Sequence, residues 1–173
     1  MSVYSVVLSD SKILDRVTGI ESVVVVGCAF CANFSIAYDK GIPLSRVLVD
    51  ENTGRTVRAP VAIMEESNRL KALFESNGIN VRGEVLLVPC IVPPEMQPAD
   101  LELAEHCTDA DAVVTLCCSG GTLGIKTRLG KTVKIIPGMR TVGVSLSYTV
   151  FDEAKEYVYM DKSRSKIIRM SKE

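Results

Sequence analysis

Three continuous apolar runs constrain this chain more than any other feature: residues 23–26, 85–88 and 112–116. Aliphatic and β-branched residues without polar alternation read as strands buried on both faces, and such strands belong to parallel sheets covered by helices. Helical patterns lie between the runs. Ile13, Leu14, Val17 and Ile20 recur three or four apart behind the capping residues Ser9 and Asp10, and Gly19 supplies a stop. Phe30, Phe34, Ala37 and Tyr38 repeat the helical spacing before a turn at 41–43, and Leu70, Leu73 and Phe74 mark a helix over 65–76 that Asn77-Gly78 ends. A further helix is expected over 98–106, opened by Pro98, and another around 123–129. Shorter strands are expected at 46–50, 56–63 (broken by Pro60) and 133–136. This alternation predicts one α/β domain over 1–173, with an open, mostly parallel sheet in three layers, Rossmann-like or flavodoxin-like. The basic tail from Lys162 to Lys172, with Ile167 and Ile168 between its charges, reads as a short solvated terminal element, with a docking strand or helix as the alternative.

A chain of 173 residues, 47% of them hydrophobic, is large enough to bury a core of its own. Its 20 Lys and Arg against 21 Asp and Glu give a formal net charge of −1, so no overall basic field favours nucleic acid or an anionic membrane. The apolar runs fall far short of the ~20 residues of a spanning helix, and the first residues lack the basic start and apolar core of a signal peptide. The expectation is a soluble, cytoplasmic protein without a membrane span.

Six cysteines, at 28, 31, 90, 107, 117 and 118, are too few for a disulfide scaffold at this length and are read as reduced. His106 is the single histidine, which leaves no multi-histidine metal site and little scope for a triad. Cys28, Cys90 and Cys118 each stand one or two residues past an apolar strand, and Cys31 follows in Cys28-Ala-Phe-Cys31. In a parallel sheet those strand ends share one edge, where ligands of open α/β sheets bind. Cys28, Cys31, Cys90 and Cys118 are therefore the candidate metal ligands. Four soft thiolates suit a 4Fe-4S cluster, with zinc as the alternative. Ser119, Gly120 and Gly121 can present backbone N–H groups to anionic sulfides at a helix start, as they would to phosphate. A nucleotide reading is weaker, because Gly120-Gly121-x-x-Gly124 has neither the dinucleotide nor the Walker spacing. Cys117 is expected to turn back into the sheet and Cys118 to face the loop, with Cys107 in the core. Open alternatives are a thiol redox pair, inert packing, and a zinc-thiolate site for methyl or thiol transfer.

The motifs Val23-Val-Val-Val-Gly-Cys28-x-x-Cys31, the strand-end Cys90 and Leu116-Cys-Cys118-Ser-Gly-Gly resemble those of the small metal-binding subunit of anaerobe-type, two-subunit methylenetetrahydrofolate reductases, over residues 11 to about 147. The resemblance implies an accessory subunit of an oxidoreductase of one-carbon metabolism. Its sulfur site would support electron transfer or assembly beside a larger TIM-barrel subunit that holds flavin and folate. Ser35 stands where members of the family commonly carry another cysteine, and no cysteine follows Cys118, which argues against a second cluster. An accessory subunit needs no acid–base residues of its own, in keeping with the single histidine.

Overall fold

The computed structural model describes residues 1–50, 53–87, 103, 105–107, 109–129 and 132–170. Strand β2 (Ser22–Cys28) is buried at every position, flanked by a strand on each side within its sheet and packed against helices. Fully burying one valine contributes about 1.5–3 kcal/mol, so this strand is the main apolar investment of the fold. It pairs in parallel with β5 (Asn80–Leu87) on one side and with β6 (Ala112–Leu116) on the other, and β6 pairs in parallel with β7 (Lys134–Pro137). The order is β5-β2-β6-β7. Asp111 fixes the β2–β6 register at its start: its Oδ2 accepts the Ser22 N–H at 2.8 Å and the Ser22 hydroxyl at 2.9 Å.

The parallel centre agrees with the sequence; the expected three-layer, mostly parallel sheet does not. Among the described residues, two antiparallel sheets accompany the parallel one. The N-terminal strand β1 (Ser2–Val7) and β11 (Lys166–Arg169) flank β8 (Met139–Leu146). A hairpin of β3 (Ser45–Val49) and β4 (Thr56–Pro60) continues through β10 (Tyr157–Met160) to β9 (Thr149–Asp152). The basic tail is correspondingly not a solvated end: β11 is a paired strand, with Ile167 opposite Ser145 and Arg169 opposite Gly143. The physical reason is burial. These strands are half-exposed, so they lack the uninterrupted apolar runs that announce the central sheet.

The helices are α1 (Asp10–Arg16), α2 (Cys31–Lys40), α3 (Ala62–Ser76) and α4 (Ser119–Leu129), and residues 105–107 are helical as well. Gly41 ends α2 at φ +67, a left-handed conformation that costs glycine nothing. Helix α3 starts three residues earlier than its apolar spacing implies. Asn33 explains this: its Oδ1 accepts the Ile63 N–H at 2.9 Å, while its Nδ2 donates to the Leu44 carbonyl at 2.9 Å. A buried side chain of α2 thus serves as a remote cap for α3. The same two helices share Glu66, whose fully buried carboxylate is paired with both Lys40 and Arg69. Most of the helix expected over 98–106 lies outside the described residues. No helix among the described residues is long and apolar enough to cross a membrane.

Candidate functional site: a cysteine pair at two helix starts

Strand β2 ends at Cys28, opposite Leu87 of β5, and β6 ends at Leu116, so Cys28 and Cys117-Cys118 leave the parallel sheet at the same edge. Cys117 turns back into the core, with its thiol donating to the Val26 carbonyl at 3.8 Å. Cys118 turns the other way. Its carbonyl accepts the Thr122 N–H at 2.9 Å, which makes Cys118 the N-cap of α4. A capping side chain takes the amides of the second and third helical residues, and here those are Gly120 and Gly121, both of which donate to the Cys118 sulfur.

Cys31 opens α2 and approaches Cys118 from the other side. Its thiol donates to the Cys118 sulfur, and this bond, above all, lowers the Cys118 pKa to about 6. The amides of Gly121, Gly120 and Cys118 add to that effect, and burial opposes it. The partner moves in the opposite direction: donation to Cys118, then burial, push the Cys31 thiol far above the ordinary cysteine range. The pair therefore shares one proton, with thiolate character on Cys118 and the proton on Cys31. Cys28 lies close enough to oppose ionisation of Cys31 through space. All three cysteines are buried, at 0%, 6% and 2% exposure for Cys28, Cys31 and Cys118.

The antiparallel sheet β1-β8-β11 supplies support that the sequence reading did not assign. The Val3 amide reaches Cys31. Ser35, one turn beyond Cys31, donates to the Cys31 carbonyl at 2.8 Å and accepts the Ser5 N–H at 3.1 Å, so strand β1 and helix α2 are locked together beneath the thiol. Thr141 of β8 accepts the Ser119 N–H at 2.9 Å and donates to the Ser119 hydroxyl at 3.2 Å, which fixes the first turn of α4. The signal that could have revealed these residues is the β-branched content of 2–7 and the alternation of 139–146.

Of the four cysteines expected at one site, the structure brings Cys31 and Cys118 into contact with Cys28 beside them; Cys90 lies outside the described residues. Among the described residues, no three His, Cys, Asp or Glu side chains stand close enough to hold one ion. Gly120 and Gly121 present their amides to the Cys118 sulfur, whereas the Ser119 amide is committed to Thr141. Cys107 is buried in the core, and burial pushes its thiol up to about 11; His106 is exposed beside it. The fold and site define a mixed α/β protein with an asymmetric thiol pair at the carboxyl edge of its parallel sheet. Compared with protein-family models, curated proteins and solved structures, the chain gives no match.

Proposed function

We propose that this chain is a sulfur-site accessory subunit, with Cys28, Cys31, Cys90 and Cys118 as ligands of an iron–sulfur cluster or, alternatively, of zinc. In this reading it serves a methylenetetrahydrofolate reductase-type complex, beside a larger flavin- and folate-binding subunit. The supporting observation is the contact of Cys31 with Cys118 at the strand-end edge, where the amides of Gly120 and Gly121 stabilise a thiolate. Soft metals take deprotonated sulfur, so a prepared thiolate in contact with a second cysteine suits the donor chemistry. A cluster there would supply one-electron transfer, while Ser35 and Thr141 hold the helix starts that carry Cys31 and Cys118.

The test is purification without oxygen, followed by iron, zinc and sulfide analysis. Cys28→Ser, Cys31→Ser, Cys90→Ser and Cys118→Ser should each remove most of the bound metal, and Cys107→Ser should not. Metal content unchanged in all four ligand variants overturns the assignment. Co-purification with a flavin-containing partner is the expected sign of the complex.

The shared proton of Cys31 and Cys118 favours a second reading. A thiolate hydrogen-bonded to a neighbouring thiol is the reduced form of a redox dithiol, which reduces a substrate disulfide to two thiols while closing to a disulfide itself. A metal-free, colourless protein that loses two thiols on mild oxidation, and only one pair, would favour it over the metal site.

A further inference from the structure

A cavity of about 660 Å³, lined by none of the cysteines, lies between α4, the end of α1 and strands β7 and β8. Its size falls within the ~300–1,000 Å³ of pockets that bind small organic molecules. Two kinds of wall meet there. Leu8, Ile135 and Met139 form an apolar floor, whereas Arg16, Lys126 and Arg140 bring three cations to the rim, and none of its lining residues is a carboxylate. For a chain whose formal net charge is −1, three cations with no carboxylate among the described lining residues is a pronounced local imbalance.

The cations are placed rather than scattered. Lys126 lies one helical turn beyond Thr122 on the same face of α4, and both line the cavity. Arg140 enters from β8, where its backbone pairs with Val6. Arg16 sits in the last turn of α1 and donates from Nη1 to the Pro137 carbonyl at 2.9 Å, which holds its guanidinium at the cavity wall. Among the described residues, neither Lys126 nor Arg140 has an ion-pair partner. The amides at the start of α4 are already committed, Ser119 to Thr141 and Gly120 and Gly121 to Cys118, so they are not what would recognise an anion here.

We propose that this cavity is a binding site for a small organic anion, with an apolar body lying on Leu8, Ile135 and Met139 and an acidic group held by Lys126 and Arg140. An apolar floor alone would select a neutral molecule, and a cationic rim alone would select inorganic phosphate; the combination selects a molecule with both parts. The site stands apart from the sulfur reading and survives its failure.

The experiment uses two fluorescent probes of nearly the same shape, anilinonaphthalene sulfonate and its neutral counterpart phenylnaphthylamine, with inorganic phosphate as competitor. The full chain should bind the sulfonate at one site and the neutral probe much more weakly, with phosphate a poor competitor. Lys126→Gln and Arg140→Gln, both at exposed side chains, should each weaken sulfonate binding by about five- to tenfold and leave the neutral probe unchanged. Far-UV circular dichroism confirms that each variant is folded, and Cys31→Ser and Cys118→Ser should bind the sulfonate as the parent chain does. Equal affinity for the two probes, or unchanged sulfonate binding in the Lys126→Gln/Arg140→Gln double variant, overturns the proposal.

Discussion

Gly27 sits one residue before Cys28, in the centre of the parallel sheet, where even a methyl group has no room. A Cβ at this position would lie 2.7 Å from Leu86 Cδ2, 2.9 Å from Ile63 Cγ1 and 3.4 Å from Ile63 Cδ1. Carbon atoms prefer about 3.5–4.0 Å, so the two closest contacts fall short by most of an ångström. The two neighbours differ in what they can concede. Leu86 is half-buried and presents the far end of a flexible side chain, so it can rotate away. Ile63 is fully buried, and its backbone N–H is held by Asn33, so relief there means moving the start of α3. Overpacking of this kind costs about 1–3 kcal/mol, and replacing glycine returns about 0.4–1 kcal/mol by restricting the unfolded chain. The expected net loss for Gly27→Ala is therefore roughly 1–2 kcal/mol, read as a lower urea midpoint at unchanged slope in the reduced, metal-free chain. The decisive arm is the double variant with Ile63→Ala. Ile63→Ala alone should cost about 2–5 kcal/mol for its cavity, and the new methyl at position 27 should fill part of that cavity. The two substitutions together should thus cost at least about 1 kcal/mol less than their sum. Additivity, or a Gly27→Ala chain as stable as the parent, would refute the packing argument.

The other two predictions use different parts of the molecule. Gly143 pairs with Tyr4 on one side and Arg169 on the other, and a Cβ there would stand 2.2 Å from the Ile168 carbonyl oxygen, which is backbone and cannot rotate away; Gly143→Ala should release β11 from β8, seen as lost hydrogen-exchange protection over 166–170 while α2 and α3 stay protected, and retained protection would show the contact is not limiting. The lowered Cys118 value of about 6 makes stability pH-dependent: between there and the ordinary thiol value the unfolded chain binds the extra proton, so the reduced, metal-free protein should gain stability as pH rises from about 6 towards 9, and the raised Cys31 value should reverse the slope above that. Urea midpoints across this range should climb in the parent and stay flat in Cys118→Ala, and parallel profiles in the two would exclude the shared-proton pair.

What the sequence disclosed about the fold follows burial. Val23 to Val26 and 112–116 are enclosed on both faces, so their composition alone marks strands, and β6 emerges with the bounds its apolar run has. Strands β4 and β9 have no buried residue: the sequence marks β4 only as the first half of a longer segment over 56–63, and β9, four residues long, presents no apolar run at all. Helix α3 shows a second limit. Its first turn is specified by the hydrogen bond that the Ile63 N–H donates to Asn33, thirty residues earlier, and no local window contains that information.

The site was legible for the same reason as the central strands: a parallel sheet delivers the ends of β2 and β6 to one edge, which places Cys28 and Cys118 there, and the Cys28-x-x-Cys31 spacing adds Cys31 from the same loop. Which sulfur would carry negative charge was not legible. That asymmetry arises because Cys118 is the cap of α4 and receives two glycine amides, whereas Cys31 is the first residue inside α2, where its side chain is offered a donor's role instead. The opposite facing of Cys117 and Cys118 at the strand end, as expected from their alternation, decides which cysteine meets Cys31, and the Thr141–Ser119 contact from β8 holds that turn in place. The reactive geometry therefore depends on a strand that no cysteine occupies. Loosening β8 should disturb the site even with every cysteine intact, which is why β1 and β8, the strands that the apolar pattern left unmarked, are as much a part of this site as the thiols.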